Sequence, residues 1–502
     1  MASSDPESPG LARGAIGLRE VLFQSVTHMA PAAAVAFSIP AGASFAAGAL
    51  PLATVLALIA CLFVALSIGE LARHLPSAGS FYTYASKGIH PWVGFLVAWA
   101  YAFAEAFIAA FLFLIFAITV SGTLNTEFGW STGTWWIWVL ASSLLVFALG
   151  YLGIQVSTKA GTAMGVFEII VFGALAVWLI IEAGSSNTLS VFTTHHATAQ
   201  GYTGFSGVIA ACVFSILAFT GFESAAPLAE EARDPRRTIR KAVIYSALAI
   251  GAFYVFTTYA ATVYRGSGNM ADFVKLGDGD PWTYLAKAVW GVGWLLVFIA
   301  IINSAVANAN AGANATTRTW FAMGRIRLLP AFMATIHPRF KSPHIAVIVQ
   351  FVVALVLALW LGFQYTPYTA FILMATIFTL ILISIYVVIL IACIAYYWRF
   401  QREHANVVMH GIIPILGILV FVPVFLTAAG IPAFSFVGQL SYPISLAGPV
   451  VGVWMVLGIV YLVYLNSRHP DRLAQTGRIF LDEPPATSGE GAEPVDATSG
   501  GG

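Results

Sequence analysis

Three carboxylates stand where a charge is costly. In a chain of 502 residues, of which 9% are charged, Glu105 lies in WAYAFAEAFIAAF, Glu168 in GTAMGVFEIIVFG and Glu223 in FTGFESAAPLAEE, each inside an apolar run. A charged side chain at the bilayer centre costs about 2.5 to 3.5 kcal/mol on an insertion scale, so each must face protein or a water-filled cavity. A carboxylate so placed can hold a substrate ammonium, carry a proton, or tie helices together. Glu223, beside Gly221 and Pro227, is the first candidate for binding an amine or moving with a gate; capping a broken helix is its structural alternative. Glu168 shares a helical face with Gly161 and Gly165, which suits either ion coupling or close helix contact. Glu105 lies on the face of Ala98, Ala102 and Ala109, and divides evenly between amine recognition and structure. No His, Asp or Glu spacing suits a metal, and Cys61, Cys212 and Cys393 all sit in apolar runs. With no such cluster and no activated nucleophile, no metal, cofactor or enzymatic centre is expected, and without a P-loop neither is ATP-driven pumping. A channel would call for repeated filter segments or charged rings.

The elements that position these groups are membrane helices. Hydrophobic residues make up 59% of the chain and mean hydropathy is +0.86, whereas a soluble domain carries roughly a quarter charged residues. The net charge of +1 gives no electrostatic case for a nucleic acid partner. A crossing needs about 20 apolar residues. Twelve runs qualify: 19–48, 51–74, 91–122, 133–153, 160–183, 205–230, 241–264, 282–314, 344–363, 368–398, 410–430 and 443–465. With the N-terminus inside, 20 of the 23 Lys and Arg fall in cytoplasmic segments, leaving Arg265, Lys275 and Lys287 outside. The positive-inside rule therefore predicts a multi-pass plasma-membrane protein with both termini cytoplasmic. Residues 1–18 and 466–502 read as polar tails, the second rich in Pro, Gly and Ser and expected to be disordered. Segments 76–95 and 318–343 mix aromatic and basic residues, as short interfacial helices do.

Two crossings carry breakers. Pro31 lies in the first and Pro227, with Gly221, in the sixth, and each proline clashes with the carbonyl four residues earlier, Thr27 or Glu223. Breaks at matching places divide the chain into residues 19–183 and 205–398, five crossings each, joined by an outer loop at 184–204 and followed by two further crossings at 399–465. Five is odd, so the two blocks must be inverted. Interrupted helices in inverted repeats mark the binding site of secondary transporters, because unwound backbone exposes N–H and C=O groups at mid-membrane. His28, next to the first break, reads as a packed histidine more readily than as a titrating one. In the eighth run Asn303, Asn310, Asn314 and Thr317 share one face, which fits a helix lining an aqueous path or one bonded to a neighbour.

The segments FSILAFTGFESAAPLAEEARDPRRTIRKAV, LPSAGSFYTYASKGIHPWVGFLVAW and TRTWFAMGRIRLLPAFMATIHPRFKSP resemble the signatures of the amino acid–polyamine–organocation permeases after or within the sixth, second and eighth spans. The likeness extends from about residue 19 to 465. It implies an all-α polytopic protein of the LeuT-type fold, 5+5 inverted repeats with broken first and sixth helices plus two extra helices, working by alternating access. It implies a small amine or amino acid as substrate, carried by symport or exchange with a proton as the candidate coupling ion. The substrate would meet Pro31, Ala32, Ala33, Ala34 and Val35 in the first span, Glu105 in the third, and Phe219, Thr220, Gly221, Phe222 and Glu223 in the sixth. Glu168, Asn310 and Asn314 would serve coupling or the path. Many members carry Gly-x-Gly in the first span; here the matching residues are Ala33, Ala34 and Val35. MAPAAAVAF is closer to the branch of putrescine and related amine importers, so a substrate carboxylate is not implied, although amides at 32–35 could still receive one.

Overall fold

The computed structural model describes residues 16–77, 79–153, 158–202, 204–340 and 342–474. Most of both expected tails lies outside these. In hydrocarbon every backbone N–H and C=O needs a partner within the chain, and an uninterrupted apolar run meets that need as a helix. Among the described residues regular structure is helical, apart from one isolated bridge between Ile16 and Ala232. The α-helices of nine or more residues, in chain order, are α1 Leu18–Met29, α2 Leu50–His74, α3 Ser80–Gly88, α4 Pro91–Phe128, α5 Trp135–Tyr151, α6 Thr158–Ala183, α7 Phe205–Phe219, α8 Pro235–Arg265, α9 Pro281–Trp290, α10 Trp294–Arg325, α11 His344–Gln364, α12 Pro367–Phe400, α13 Ile413–Ala429 and α14 Ala447–Arg468.

Among the described residues ten helical stretches are long and apolar enough to cross a membrane, and the pair Phe205–Phe219 and Phe222–Ala229, bent by 42°, makes an eleventh. The first stretch, Leu18–His74, has 57 residues. At 1.5 Å per residue that is about 85 Å, far beyond one bilayer core of about 30 Å. It divides at Ala47, where φ is 48° and ψ −127°, and so supplies two crossings, which brings the total to the expected twelve.

The centre is built from α4 and α12, whose crossings are 89% and 72% buried within the protein, while those of α5 and α14 are 28% and 22% buried. The outward residues of α14, such as Val453, Val460 and Val463, are exposed and apolar, as a lipid-facing surface requires. α8 runs along α2, while α10 and α12 run along α4. α2 and α8 approach closely at Gly69, where a Cβ would stand 2.9 Å from Arg240 Cγ.

Two expectations change. The eighth run, 282–314, is two helices: the chain turns at Gly291 (φ 54°), so α9 ends there and the crossing proper, α10, continues to Arg325. Glycine alone takes such a φ without strain, and an apolar run does not reveal the turn. The segment 76–95 does contain a short helix, α3, but Phe81, Tyr84 and Ala85 are buried against α4 and α12, so it is packed into the protein rather than laid on its surface.

Candidate substrate and coupling site

The first interruption begins at Pro31, which has no N–H to give. Ala30 takes a left-handed conformation (φ 48°, ψ 67°), α1 ends at Met29, and helix resumes at Pro31. The freed groups find partners in three places: Ala30 N–H donates to the Thr27 carbonyl at 3.1 Å, the Tyr254 hydroxyl of α8 donates to the Met29 carbonyl at 2.7 Å, and Ala32 N–H donates to Glu168 Oε2 at 3.3 Å. Beyond Ala33 the turn widens into π-helix over Ala34–Ser38, a local unwinding frequent at functional sites. Pro31, Ala32, Ala33, Ala34 and Val35 are all buried. Tyr254→Phe removes one of these supports. It is expected to lower stability by about 0.6 to 1.7 kcal/mol, the range for side-chain hydrogen bonds between membrane helices, read as a fall in the melting temperature of the purified protein.

The second interruption lies at Thr220 and Gly221. α7 ends at Phe219, Thr220 is extended in ψ (136°), and Gly221 has φ 115° before a 3-10 helix over Phe222–Glu230. Gly221 N–H donates to Glu223 Oε2 at 3.0 Å, so Glu223 caps the break from within. The expected breaker, Pro227, lies further on, inside the 3-10 stretch. Bonds there run between residues three apart, which avoids the clash of the proline ring with the carbonyl four residues back.

The two breaks touch. A Cβ on Gly221 would stand 2.6 Å from the His28 carbonyl carbon and 2.8 Å from its Cδ2, and the Ser25 hydroxyl donates to the Phe222 carbonyl at 2.9 Å. Phe219 packs edge-on to Tyr254 at 5.3 Å, Phe222 lies 5.8 Å from the ring of Tyr386, and the Thr220 hydroxyl turns back to donate to the Leu217 carbonyl at 2.7 Å. These three side chains are thus engaged in holding the broken helix.

Glu105 and Glu223 are 2% and 5% exposed and lie within electrostatic reach of one another. Two phenols join them: Tyr101, one turn before Glu105 and its side-chain partner, and Tyr386 of α12, near Glu223. Among the described residues Glu105 Oε2 has no hydrogen-bond partner. Among the described residues no Lys, Arg or His pairs with either carboxylate. Sequence reasoning passed over Tyr101, Tyr254 and Tyr386. For Tyr101 a signal existed, the four-residue spacing to Glu105 that places both on one face of α4; the other two come from distant helices.

Glu168 is 3% exposed and faces the first break. Its Oε2 accepts from Ala32 N–H and its Oε1 from Asn303 Nδ2 at 2.6 Å, so one carboxylate links α6, the interrupted first crossing and α10. Further along α10, Asn310 is half-buried and Asn314 exposed, and Arg318 then reaches Glu231 at 3.7 Å, just past the second break. The structure therefore puts Glu105 and Glu223 within electrostatic reach of one another, ties Glu168 to the first break, and carries Asn310 and Asn314 on the stretch of α10 from which Thr316 donates to the Glu105 carbonyl at 2.9 Å.

The amino acid permease family matches residues 20–439. The low-affinity putrescine importer PlaP of Escherichia coli (strain K12) is 26% identical over 439 residues, covering 84% of this chain and 86% of its own length. The branched-chain amino acid permease BcaP of Bacillus subtilis (strain 168) is 27% identical over 322 residues, 61% of this chain and 66% of its own. The histidine permease HisP of Lactococcus lactis subsp. cremoris (strain MG1363) is 27% identical over 286 residues, 54% of this chain and 57% of its own.

Proposed function

Because the chain belongs to the amino acid permease family, we propose that it moves an organic amine or amino acid through the plasma membrane by alternating access, the substrate's ammonium group lying between Glu105 and Glu223. The observation that carries this is the pair of buried carboxylates in mutual reach, Glu223 of them at the second helix break, with no basic side chain among the described residues paired to either. A cation entering that space relieves their repulsion and the cost of their burial together. In this reading residues 19–183 and 205–398 act as the two inverted halves, Asn310 and Asn314 line the path, and both termini are cytoplasmic. What supports this orientation is that Ile16 pairs with the backbone of Glu231 and Arg233, beside the Arg-rich start of α8.

Glu168 serves proton coupling. Both of its oxygens accept, so taking up a proton turns one of them into a donor: Ala32 N–H keeps the other oxygen, and the Asn303 amide must turn to accept, which resets the link between the first crossing and α10.

One observation favours a diamine over an α-amino acid. The amide of Ala32, at the helix start where a substrate carboxylate would dock, already donates to Glu168, while two carboxylates await cations. The test is uptake into proteoliposomes of labelled putrescine, lysine, leucine and serine, with and without a proton gradient. Transport of at least one amine is expected, with putrescine competing best; absence of uptake and of exchange for all four would overturn the reading. Glu223→Gln is expected to reduce uptake about tenfold, mainly through KM, since a hydrogen bond to a charged group contributes about 1.5 to 3 kcal/mol. Unchanged KM and unchanged rate would remove Glu223 from the site.

A further inference from the structure

A concavity of about 620 Å³ opens at the end of the protein where α2 finishes and α8 begins. Arg73 comes from α2, Arg236, Arg237 and Arg240 from α8, and the far wall is the connection from α12 to α13 with His404, Asn406 and His410. The one carboxylate is Glu70, buried on the floor, where Arg240 reaches its Oε1 at 2.9 Å, Arg73 its Oε2 at 3.2 Å, and Tyr397 donates to its carbonyl at 2.9 Å. Four guanidiniums therefore line the cavity, and two of them reach its carboxylate. Glu70 occupies Arg73 and Arg240 only in part, since each guanidinium carries five N–H donors. Arg236 pairs with no acidic residue among the described residues, and Arg237 reaches only Asp234, at 3.9 Å.

The placement is unfavourable without a ligand. Arg236, Arg237, Arg240 and Lys241 crowd the first two turns of α8, the positive end of the helix dipole, where the N-cap Asp234 accepts from Arg237 N–H and the first turn itself adds no acidic side chain. Scattered basic residues would satisfy the positive-inside rule equally well. Here they converge from two helices on one cavity, at a seam so close that Gly69 of α2 has room for no Cβ beside Arg240.

We propose that this cavity binds a phosphate-bearing anion, held by Arg73, Arg236, Arg237 and Arg240. Guanidinium forks match phosphate oxygens two at a time, and several together neutralise a doubly charged group. The same chemistry is offered by the headgroup of an anionic phospholipid, since the cavity opens where helices leave the membrane, and by a soluble phosphate compound. The occupant joins α2 to α8 and the loop before α13, a contact separate from the amine site and independent of which substrate is carried.

The test uses the full-length purified protein in neutral detergent. One arm follows its melting temperature with inorganic pyrophosphate against sodium chloride of matched ionic strength; the other uses lipid nanodiscs of phosphatidylglycerol against phosphatidylcholine. A rise in either arm supports the site, pyrophosphate identifying a soluble anion and a response to phosphatidylglycerol alone a lipid headgroup. The double variant Arg236→Gln with Arg237→Gln, changed at exposed positions that leave the packing intact, is expected to weaken the response at least about tenfold, as loss of charge-assisted pairs requires. Lys87→Gln, on α3 and away from the cavity, should respond as the wild type does. No rise in either arm, or a full response in the double variant, overturns the proposal.

Discussion

Gly221→Ala is expected to reduce uptake to about one hundredth of wild type or less, the summed effect of a strained backbone of about 1 to 3 kcal/mol and overpacking of about 1 to 3 kcal/mol. Two independent features require glycine there. Its φ of 115° lies where side chains with a Cβ rarely go, and the added methyl would meet His28 at 2.6 Å from the carbonyl carbon and 2.8 Å from the carbonyl oxygen. Those two are backbone atoms, so truncating the His28 side chain does not restore the space. Relief comes only by separating the two broken helices, and that also pulls Phe222 from Ser25 and turns Glu223 away from the Gly221 amide it caps. Gly173→Ala on α6 is the control, since a Cβ there meets nothing within 4 Å; it should transport normally. The measurement is uptake per inserted protein alongside size-exclusion behaviour. A folded Gly221→Ala protein with wild-type uptake would show that the contact between the breaks is dispensable.

Much of this site is legible in the sequence because bilayer burial makes polar residues conspicuous. Pro31, Gly221 and the three carboxylates stand out against apolar runs, and the distance between the two prolines suggests a repeat before any contact is known. What stays hidden is whatever depends on residues far apart in the chain meeting. Glu168 reads equally as coupling group or helix tie until its two oxygens are seen to accept from Ala32 and Asn303, more than 130 positions away in either direction. Tyr254 and Tyr386 give no signal, since an aromatic residue in a membrane helix has packing as its ordinary use. Asn310 and Asn314 share a face with Asn303, yet only Asn303 reaches a mid-membrane carboxylate; the seven residues from Asn303 to Asn310 carry the helix about 10 Å along its axis. The Arg cavity is missed for another reason. Its cations come from separate helices and vanish into the count that orients the chain, so a tally of charge by side conceals their convergence.

Glu168 separates coupling from scaffolding by what a glutamine can imitate. Alanine there leaves Ala32 N–H and the Asn303 amide without acceptors, at about 1 to 3 kcal/mol for each buried group, and Glu168→Ala is expected to lose both accumulation and exchange by about a hundredfold. Glutamine offers one carbonyl oxygen and one NH2. The Ala32 amide is backbone and can only donate, so it must keep the oxygen; Asn303 can rotate its side-chain amide and accept from the NH2 instead. Both links of the first crossing therefore survive in Glu168→Gln, and only the exchangeable proton is lost. Substrate counterflow between equal concentrations should stay within about threefold of wild type, the scatter expected of a change below about 1 kcal/mol. Accumulation driven by a proton gradient should fall to simple equilibration. If the glutamine variant still concentrates substrate, the coupling proton is held elsewhere, and the pair Glu105 and Glu223 becomes the place to look. If it loses counterflow as fully as alanine does, the carboxylate is a clamp whose charge the interrupted helix itself requires. An intermediate result is informative too: counterflow that survives only at lower pH in the wild type, and at all pH in Glu168→Gln, is what a proton that turns the Asn303 amide would produce.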